Sequence, residues 1–236
     1  MRPVLSIIIP VYNEEEIVAQ SLPPIFNLKM IKQIIIVNDG STDKTLKIIK
    51  DLKSQYNFTL INQDLNRGKG AAVKRGLEEI RGDYFIIYDA DSEYNASDIA
   101  MMFDYIIQEK EKQLAENNIS KKFVLYGSRF LEKSELSFHY IVNTFLTKLT
   151  NFLFSSKLTD METCLKMIPS SALNEIKLNG EGFEIEPIIT AQLLKNNYVI
   201  KEVPVSYNRR SYQDGKKIKA KDGFIAVFTL FKEKFN

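Results

Sequence analysis

The chain has 236 residues, of which 44% are hydrophobic, and a formal net charge of +2. This is the composition of a globular protein with one domain-sized core, and so small a net charge excludes nucleic-acid binding by overall charge. The single Cys164 excludes an internal disulfide and fits a reducing compartment, and the single His139 excludes a zinc site built on several histidines.

The sequence shows no pattern of a secretory signal or of a membrane-spanning helix. Its N-terminus enters a strand pattern within a few residues, without a charged region followed by a long apolar stretch. No run reaches the ~20 apolar residues that spanning a bilayer requires. We therefore expect a cytoplasmic protein that is soluble or lies peripherally on the cytoplasmic face of a membrane.

Short apolar runs alternate with helical patterns in the first half of the chain. The runs that predict buried strands are residues 5–9, 34–37, 58–61 and 84–88, and the helical patterns are residues 14–26, 42–53 and 69–80. This alternation favours an α/β fold with a doubly wound, mostly parallel sheet, buried on both faces by helices. Ligands of such sheets bind beyond the carboxyl ends of the strands.

Polar loops follow the first two predicted strands. The first is Pro10-Val11-Tyr12-Asn13-Glu14, and the second is Asn38-Asp39-Gly40-Ser41-Thr42-Asp43. Asp39 lies at the strand mouth, where it suits a ribose or base edge, and Gly40 permits a tight turn. The hydroxyl and carboxyl groups that follow, Asp43 included, suit either a ligand or the capping of the next helix.

The third predicted strand leads into a glycine-rich helix start, residues 66–72. Two glycines and the cations Arg67 and Lys69 suit phosphate oxygens lying near backbone N–H groups, although a solvated helix start explains them equally well. The spacing matches neither a P-loop nor a dinucleotide fingerprint.

The fourth predicted strand ends in Asp89-Ala90-Asp91-Ser92-Glu93. Residues two apart in an extended chain point to the same side, so Asp89 and Asp91 would face together past the sheet edge. Paired carboxylates suit Mg²⁺ or Mn²⁺, which typically bridges to substrate phosphates. An acidic turn in solvent is the alternative for this triplet taken alone.

The second half begins with a predicted helix, 98–116, and a strand, 123–126, beyond which Arg129 is placed to meet a phosphate or to form a surface ion pair. Residues 138–154 form an amphipathic helix whose apolar stripe suits a core or a lipid interface. Within residues 158–166, we expect Asp160 and Glu162, two positions apart, to share one side of the chain.

The last third contains a helix that ends near residue 195, a strand at 199–205, and a basic loop. That loop carries Arg209, Arg210, Ser211, Lys216 and Lys217. Guanidinium forks suit phosphate oxygens, whereas the alternative is a solvated loop.

Three of these motifs, the loops after the first and second strands and Asp89-Ala90-Asp91, resemble in order the family 2 glycosyltransferases of the GT-A fold. Residues 159–164 and 210–218 look like the subgroup of dolichyl-phosphate mannose and glucose synthases and their bacterial relatives, and the likeness runs from about residue 5 to 231. One departure is Asn38, where the family usually has a second aspartate.

The resemblance implies a single GT-A domain, 1–236, with a nucleotide-sugar-binding half at 1–130. The other half, 131–236, would bind the acceptor through interfacial helices, one of them amphipathic and C-terminal. It further implies that Asp39 contacts the nucleoside, that Asp89 and Asp91 hold Mg²⁺ or Mn²⁺ on the donor's diphosphate, and that Glu93 is a third metal ligand.

The implied activity is metal-dependent, inverting hexose transfer from a UDP- or GDP-linked sugar to a polyprenyl phosphate, without a nucleic-acid partner. Transfer to a sugar hydroxyl, with Asp160 or Glu162 as the base, and a non-catalytic nucleotide-sugar-binding regulator are the alternatives. Nucleotidyl transfer is disfavoured because no glycine- and arginine-rich loop follows the first strand.

Taken together, the predicted catalytic residues are Asp89, Asp91, Arg129, Asp160 and Glu162. The predicted substrate-binding residues are Pro10, Tyr12, Asn13, Glu14, Asp39, Asp43, Arg67, Lys69, Asp89, Ala90, Asp91, Arg209, Arg210, Ser211, Lys216 and Lys217.

Overall fold

A computed structural model describes residues 2–116, 122–131, 138–210 and 220–236. Its strands form one sheet in the order β3-β2-β1-β4-β6-β5-β7. The strands are β1 (Leu5–Val11), β2 (Ile31–Asp39), β3 (Thr59–Gln63), β4 (Tyr84–Ile87), β5 (Phe123–Ser128), β6 (Lys166–Pro169) and β7 (Val199–Pro204). All pairs are parallel except those made by β6. The predicted mostly parallel α/β sheet is therefore confirmed.

Helices cover both faces of the sheet. They are α1 (Val18–Ser21), α2 (Pro23–Phe26), α3 (Thr45–Lys53), α4 (Lys69–Leu77), α5 (Ala96–Ala115), α6 (Phe138–Phe154), α7 (Ile185–Lys195) and α8 (Ala220–Phe235), with a 3-10 helix at Ser170–Asn174. Alternate strand residues enter opposite cores: Ile7 lies with Met102 of α5 in one, and Ile8 lies with Ile189 of α7 in the other. Burial on both faces explains why the strands are continuous apolar runs.

The structure differs from the prediction in two elements. The helix predicted at 14–26 is two short helices, because Pro23 has no N–H to continue α1 and its fixed φ suits the first position of α2. The strand β6 was not predicted. It is only four residues long and begins with the charged Lys166, so its pattern lacks the apolar run of a central strand.

Helices α6 and α8 share a smaller core beside the sheet. Leu146 and Leu153 of α6 lie there with Leu230 of α8 and Met161. No helix within the described ranges combines the length and apolarity needed to cross a bilayer.

Candidate active site

The loops after β1 and β2 are tied together by side-chain hydrogen bonds. The Asn13 N–H donates to Ser41 Oγ at 3.0 Å, and the Thr42 N–H donates to Asn13 Oδ1 at 2.8 Å. Asp43 accepts from the N–H groups of Thr45 and Glu15. Although partial burial opposes it, these bonds hold the pKa of Asp43 below its usual value. The hydroxyls of Ser41 and Thr42 thus join two loops rather than cap α3.

Asp39 is buried at the mouth of β2 and organises the neighbouring loop. Its carboxylate accepts from the N–H groups of Arg67 and Gly68 at 2.9 and 2.8 Å and from Gln63 Nε2 at 3.1 Å. Gly40 follows with a φ of 65°, and a Cβ there would lie 2.4 Å from the backbone of Leu65. The structure therefore gives Asp39 a structural role, and its contact with the nucleoside stays a prediction.

Four N–H groups at the start of α4, within the residues expected to suit a phosphate, already have partners in the protein. The N–H groups of Gly70 and Ala71 donate to the carbonyls of Gly182 and Glu181 at 3.1 and 3.0 Å, while those of Arg67 and Gly68 are used by Asp39. Tertiary packing of the 180–182 loop against this helix end is the cause. The side chain of Lys69 extends from this helix start to the acidic end of β4.

Lys69 reaches the paired aspartates from α4. Its Nζ lies 2.8 Å from Asp89 Oδ2 and 2.9 Å from Glu186 Oε1. Glu186 in turn pairs through Oε2 with the buried Lys166. Although burial opposes both charges, Asp89 and Glu186 raise the pKa of Lys69 well above its usual value, and the two lysines lower that of Glu186.

Asp89 and Asp91 lie just past β4, as predicted. Burial, followed by the charges of Asp89 and Glu93, raises the pKa of Asp91 to about 7. Such a carboxylate is destabilised by its neighbours and would be stabilised by a cation. Two carboxylates with donor phosphate oxygens and waters suit Mg²⁺ or Mn²⁺, and the residues present fit such an ion.

Glu93 faces the segment that follows β7. Its Oε2 accepts from the Tyr207 hydroxyl and its Oε1 from the Arg210 N–H, both at 2.8 Å. Within the described residues no three acidic, histidine or cysteine side chains are arranged to hold a metal. A role for Glu93 as third ligand therefore stays a prediction, with both of its oxygens accepting hydrogen bonds in this structure.

Arg129 and Asp160 form a buried bidentate pair. Arg129 Nε and Nη2 lie 2.7 and 2.8 Å from the two Asp160 oxygens, and the Arg129 N–H and Asn143 Nδ2 donate as well. Burial works against the charge, yet Arg129 and Asn143 keep the pKa of Asp160 below its usual value. Asp160 is a poor base because its pKa is lowered and both of its oxygens accept hydrogen bonds. The guanidinium of Arg129 is used by Asp160.

The surroundings of Glu162 raise its pKa, whereas those of Asp160 lower it. Burial is the main cause that raises its pKa to about 7, with Lys166 opposing and Glu186 adding to the shift. Its Oε1 is buried with no hydrogen-bond partner among the described residues. Of the two predicted bases, Glu162 has the pKa and the unpartnered oxygen that proton transfer near neutral pH requires.

Glu162→Gln is expected to stabilise the protein at high pH only. The pKa of Glu162 is raised in the folded state, so its contribution to stability is present below about 4.5 and is lost as pH rises through about 7. Because glutamine does not ionise, the variant should have a free energy of unfolding higher by on the order of 2 kcal/mol at about pH 8 and by much less at about pH 5. Urea unfolding at both pH values measures the difference. Glu78→Gln, on an exposed side chain, should show none; an equal effect in both variants would contradict the assignment.

Residues 207–210 fold back over the acidic strand end. The Asn208 N–H donates to the Glu93 carbonyl at 2.7 Å, and Arg210 Nη1 lies 3.0 Å from Glu14 Oε2 in the loop after β1. Arg209 is exposed. The predicted contacts of Ser211, Lys216 and Lys217 lie outside the described residues.

Sequence reasoning missed Glu186 and Lys166 as members of the site. Each stands as a single charge within an apolar stretch, Ile185–Ile189 and Leu165–Ile168, and each is nearly fully buried. A lone charge in a buried run is the signal that could have found them, because such groups need a partner.

The sheet order, with paired aspartates beyond β4, matches the GT-A fold. The sequence profile of the glycosyl transferase family 2 matches residues 6–176, and the chain belongs to that family.

Among its relatives, a dolichyl-phosphate beta-glucosyltransferase of Saccharomyces cerevisiae is 31% identical over 232 residues, 86% of this chain and 66% of the yeast protein. A second dolichyl-phosphate beta-glucosyltransferase, from Trichomonas vaginalis, is 32% identical over 61% of this chain and 44% of its own. The chain thus spans less than two thirds of the length of these two relatives. An uncharacterized protein of Methanocaldococcus jannaschii is 28% identical over 89% of this chain and 93% of its own.

Among solved structures, glucosyl-3-phosphoglycerate synthase of Mycobacterium tuberculosis, in complex with Mn²⁺, UDP and phosphoglyceric acid, has a TM-score of 0.69. The match covers 99% of this chain and 79% of that one at 14% identity, so it supports the shared fold alone.

Proposed function

We propose that the protein transfers a hexose, with inversion, from a nucleoside diphosphate sugar to a polyprenyl phosphate, using Mg²⁺ or Mn²⁺ held by Asp89 and Asp91. The observation that carries the donor half is the pair of carboxylates beyond β4, one with its pKa raised to about 7 by burial and by its neighbours. A structural neighbour that shares the fold was solved with Mn²⁺ and UDP bound. The dolichyl-phosphate glucosyltransferases support the acceptor.

Residues of both predicted halves contribute to this chemistry. We retain the prediction of one domain, with donor binding in 1–130 and acceptor binding in 131–236. When bound, the divalent cation neutralises charge that develops on the departing nucleoside diphosphate. Lys69, 2.8 Å from Asp89, supplies a second positive charge on the same side.

A phosphate acceptor needs no strong base, since it is already an anion. Its oxygen forms a bond to the anomeric carbon as the bond from that carbon to the diphosphate oxygen breaks, and the electron pair leaves with the nucleoside diphosphate. Single displacement inverts the anomeric configuration. Arg209 and Arg210 are the described cations suited to orient the acceptor, and holding two reactants in line removes several kcal/mol of barrier, up to ~7–11 in the best cases.

An aromatic face of α6 and α8 suits the lipid part of the acceptor and the bilayer that carries it. Its exposed apolar residues are Ile141, Phe145 and Phe152 on α6, and Phe224, Ile225, Phe228, Phe231 and Phe235 on α8. Exposed lysines flank them, at positions 148, 221, 232 and 234. An apolar face bordered by cations is suited to an anionic membrane surface.

Replacing Phe152 and Phe228 together by serine is expected to lower binding to liposomes that contain anionic lipid by about tenfold or more, because two large side chains no longer enter the interface. Flotation in a density gradient measures the bound fraction. Leu114→Ser, on an exposed leucine of α5 outside this face, should bind as the wild type does. If the wild-type protein does not float with these liposomes, the membrane contact is wrong.

A second candidate function is transfer to a sugar hydroxyl. The observation that favours it is Glu162, whose unpartnered Oε1 and pKa of about 7 suit a general base. Glu162→Gln should then lower turnover with a hydroxyl acceptor by about a hundredfold or more and leave turnover with a phosphate acceptor nearly unchanged.

The test of both is a screen of UDP- and GDP-sugars against undecaprenyl and dolichyl phosphates and against sugar acceptors, with Mn²⁺ present. Transfer to a polyprenyl phosphate supports the proposal, and transfer to sugar hydroxyls alone supports the second candidate. Donor binding without metal-dependent release of nucleoside diphosphate would instead indicate a non-catalytic regulator.

A further inference from the structure

A line of alternating charges runs from the paired aspartates into the interior of the second half. Asp89 is followed by Lys69, Glu186 and Lys166, each in contact with the next. The Lys69 side chain is 10% exposed, that of Glu186 4% and that of Lys166 0%. Because water does not screen charges buried this deeply, each of them is stabilised mainly by its neighbour of opposite sign.

Glu186 is held in place independently of Lys69. It lies in the first turn of α7, where the helix dipole favours a negative charge, and its second oxygen is paired with Lys166. The loop just before α7 receives the N–H groups of Gly70 and Ala71, next to Lys69 itself. Backbone hydrogen bonds thus set the separation between Lys69 and Glu186.

Lys69 is therefore shared between two carboxylates. Without Glu186 its ammonium would form a one-to-one ion pair with Asp89 and compete with any cation for Asp89 Oδ2. Because Glu186 Oε1 lies 2.9 Å from Lys69 Nζ, the ammonium keeps an ion-pair partner when Asp89 binds another cation. Glu186 itself reaches neither Asp89 nor Asp91 by any described hydrogen bond or ion pair, so its effect on them passes through Lys69.

We propose that Glu186 is a positioning residue of the donor site, which holds Lys69 so that a divalent cation can displace its ammonium from Asp89 while Lys69 stays beside the donor's diphosphate. This inference rests on the metal site of the proposed function. It assigns to Glu186, in the second half of the chain, an influence on metal affinity in the first half that is exerted through Lys69.

The test is Mn²⁺ affinity in the absence of donor, measured by titration calorimetry on four proteins: wild type, Glu186→Gln, Lys69→Met and the double variant. We expect Glu186→Gln to weaken Mn²⁺ binding by about tenfold, and the same change in the Lys69→Met background to alter it less than about twofold. Glu181→Gln, which removes a charge from the adjoining loop without touching Lys69, is the matched control and should bind Mn²⁺ as the wild type does.

Glu186→Asp provides a variant that keeps the charge beside Lys166 but shortens the side chain, and it should reproduce the weakening. Circular dichroism identifies variants that fold. Equal losses in both Lys69 backgrounds would overturn the inference, since they indicate a long-range charge effect. Wild-type affinity in Glu186→Gln and Glu186→Asp would overturn it and leave the proposed function standing. A wild-type protein that binds no Mn²⁺ would overturn both.

Discussion

Asp91→Asn is expected to abolish Mn²⁺ binding and to lower kcat/KM by about a thousandfold or more, which corresponds to about 4 kcal/mol of lost transition-state stabilisation. Asparagine keeps an oxygen for the Glu93 N–H, which Asp91 Oδ1 accepts at 3.0 Å, so the turn beyond β4 should survive. What is lost is one of the two carboxylate charges that we propose hold the cation. Calorimetric titration and steady-state assays measure the two effects.

The same variant should be more stable than the wild type when metal is chelated at neutral to high pH. The pKa of Asp91 is raised to about 7, so its stabilising contribution is present below its ordinary value of 3.8 and is lost as pH rises through about 7. Asparagine does not ionise and avoids that loss. Higher thermal stability with lost activity separates a metal ligand from a residue needed for folding. Asp51→Asn, an exposed carboxylate of α3, should change neither property; full activity of Asp91→Asn would exclude Asp91 from the metal site.

Arg129→Met is expected to lower the free energy of unfolding by about 3–5 kcal/mol, because it leaves the Asp160 carboxylate buried without its counter-ion. Side chains in this pair are 14% and 0% exposed. A lost surface pair costs far less: Arg67→Met breaks the exposed pair with Glu181 and should cost less than about 1 kcal/mol. Urea unfolding at neutral pH compares these two substitutions of the same residue type.

Adding Asp160→Asn to Arg129→Met should recover part of the lost stability. Asparagine removes the uncompensated charge, and its single side-chain oxygen can still accept from the backbone N–H of residue 129. Losses that simply add would show that the two side chains do not depend on each other. Such a result would also favour the earlier prediction that the Arg129 guanidinium contacts the acceptor phosphate.

Local patterns predicted much of the first half of the chain. The runs around Ile7, Ile35 and Ile86 are buried on both faces, so continuous apolarity identified their strands without knowledge of their neighbours. Parallel strands bring their carboxyl ends to one edge, and this placed the Asp39 loop at the same edge of the sheet as Asp89 and Asp91. The family and the fold class predicted from these motifs are confirmed.

Partners separated by long stretches of chain could not be predicted in the same way. Lys69 and Glu186 are 117 residues apart, and Arg129 and Asp160 meet across 31 residues of chain. A sequence pattern records which residues are charged but does not identify the opposite charge that each will meet. The short antiparallel β6 was missed for a related reason, since its pairing with β4 and β5 is set by packing rather than by a pattern of its own.

The sequence by itself thus determined the strands other than β6, the order of the polar loops and the acidic end of β4, because apolar runs and strand ends are local properties of the chain. Only the tertiary structure decided how the charges are used. Asp39 binds a loop, Asp160 is committed to Arg129, Glu162 retains an unpartnered oxygen, and Lys69 is shared with Glu186. Buried charges are stabilised by whichever groups surround them in space, and that environment exists only once the two halves of the chain have packed together.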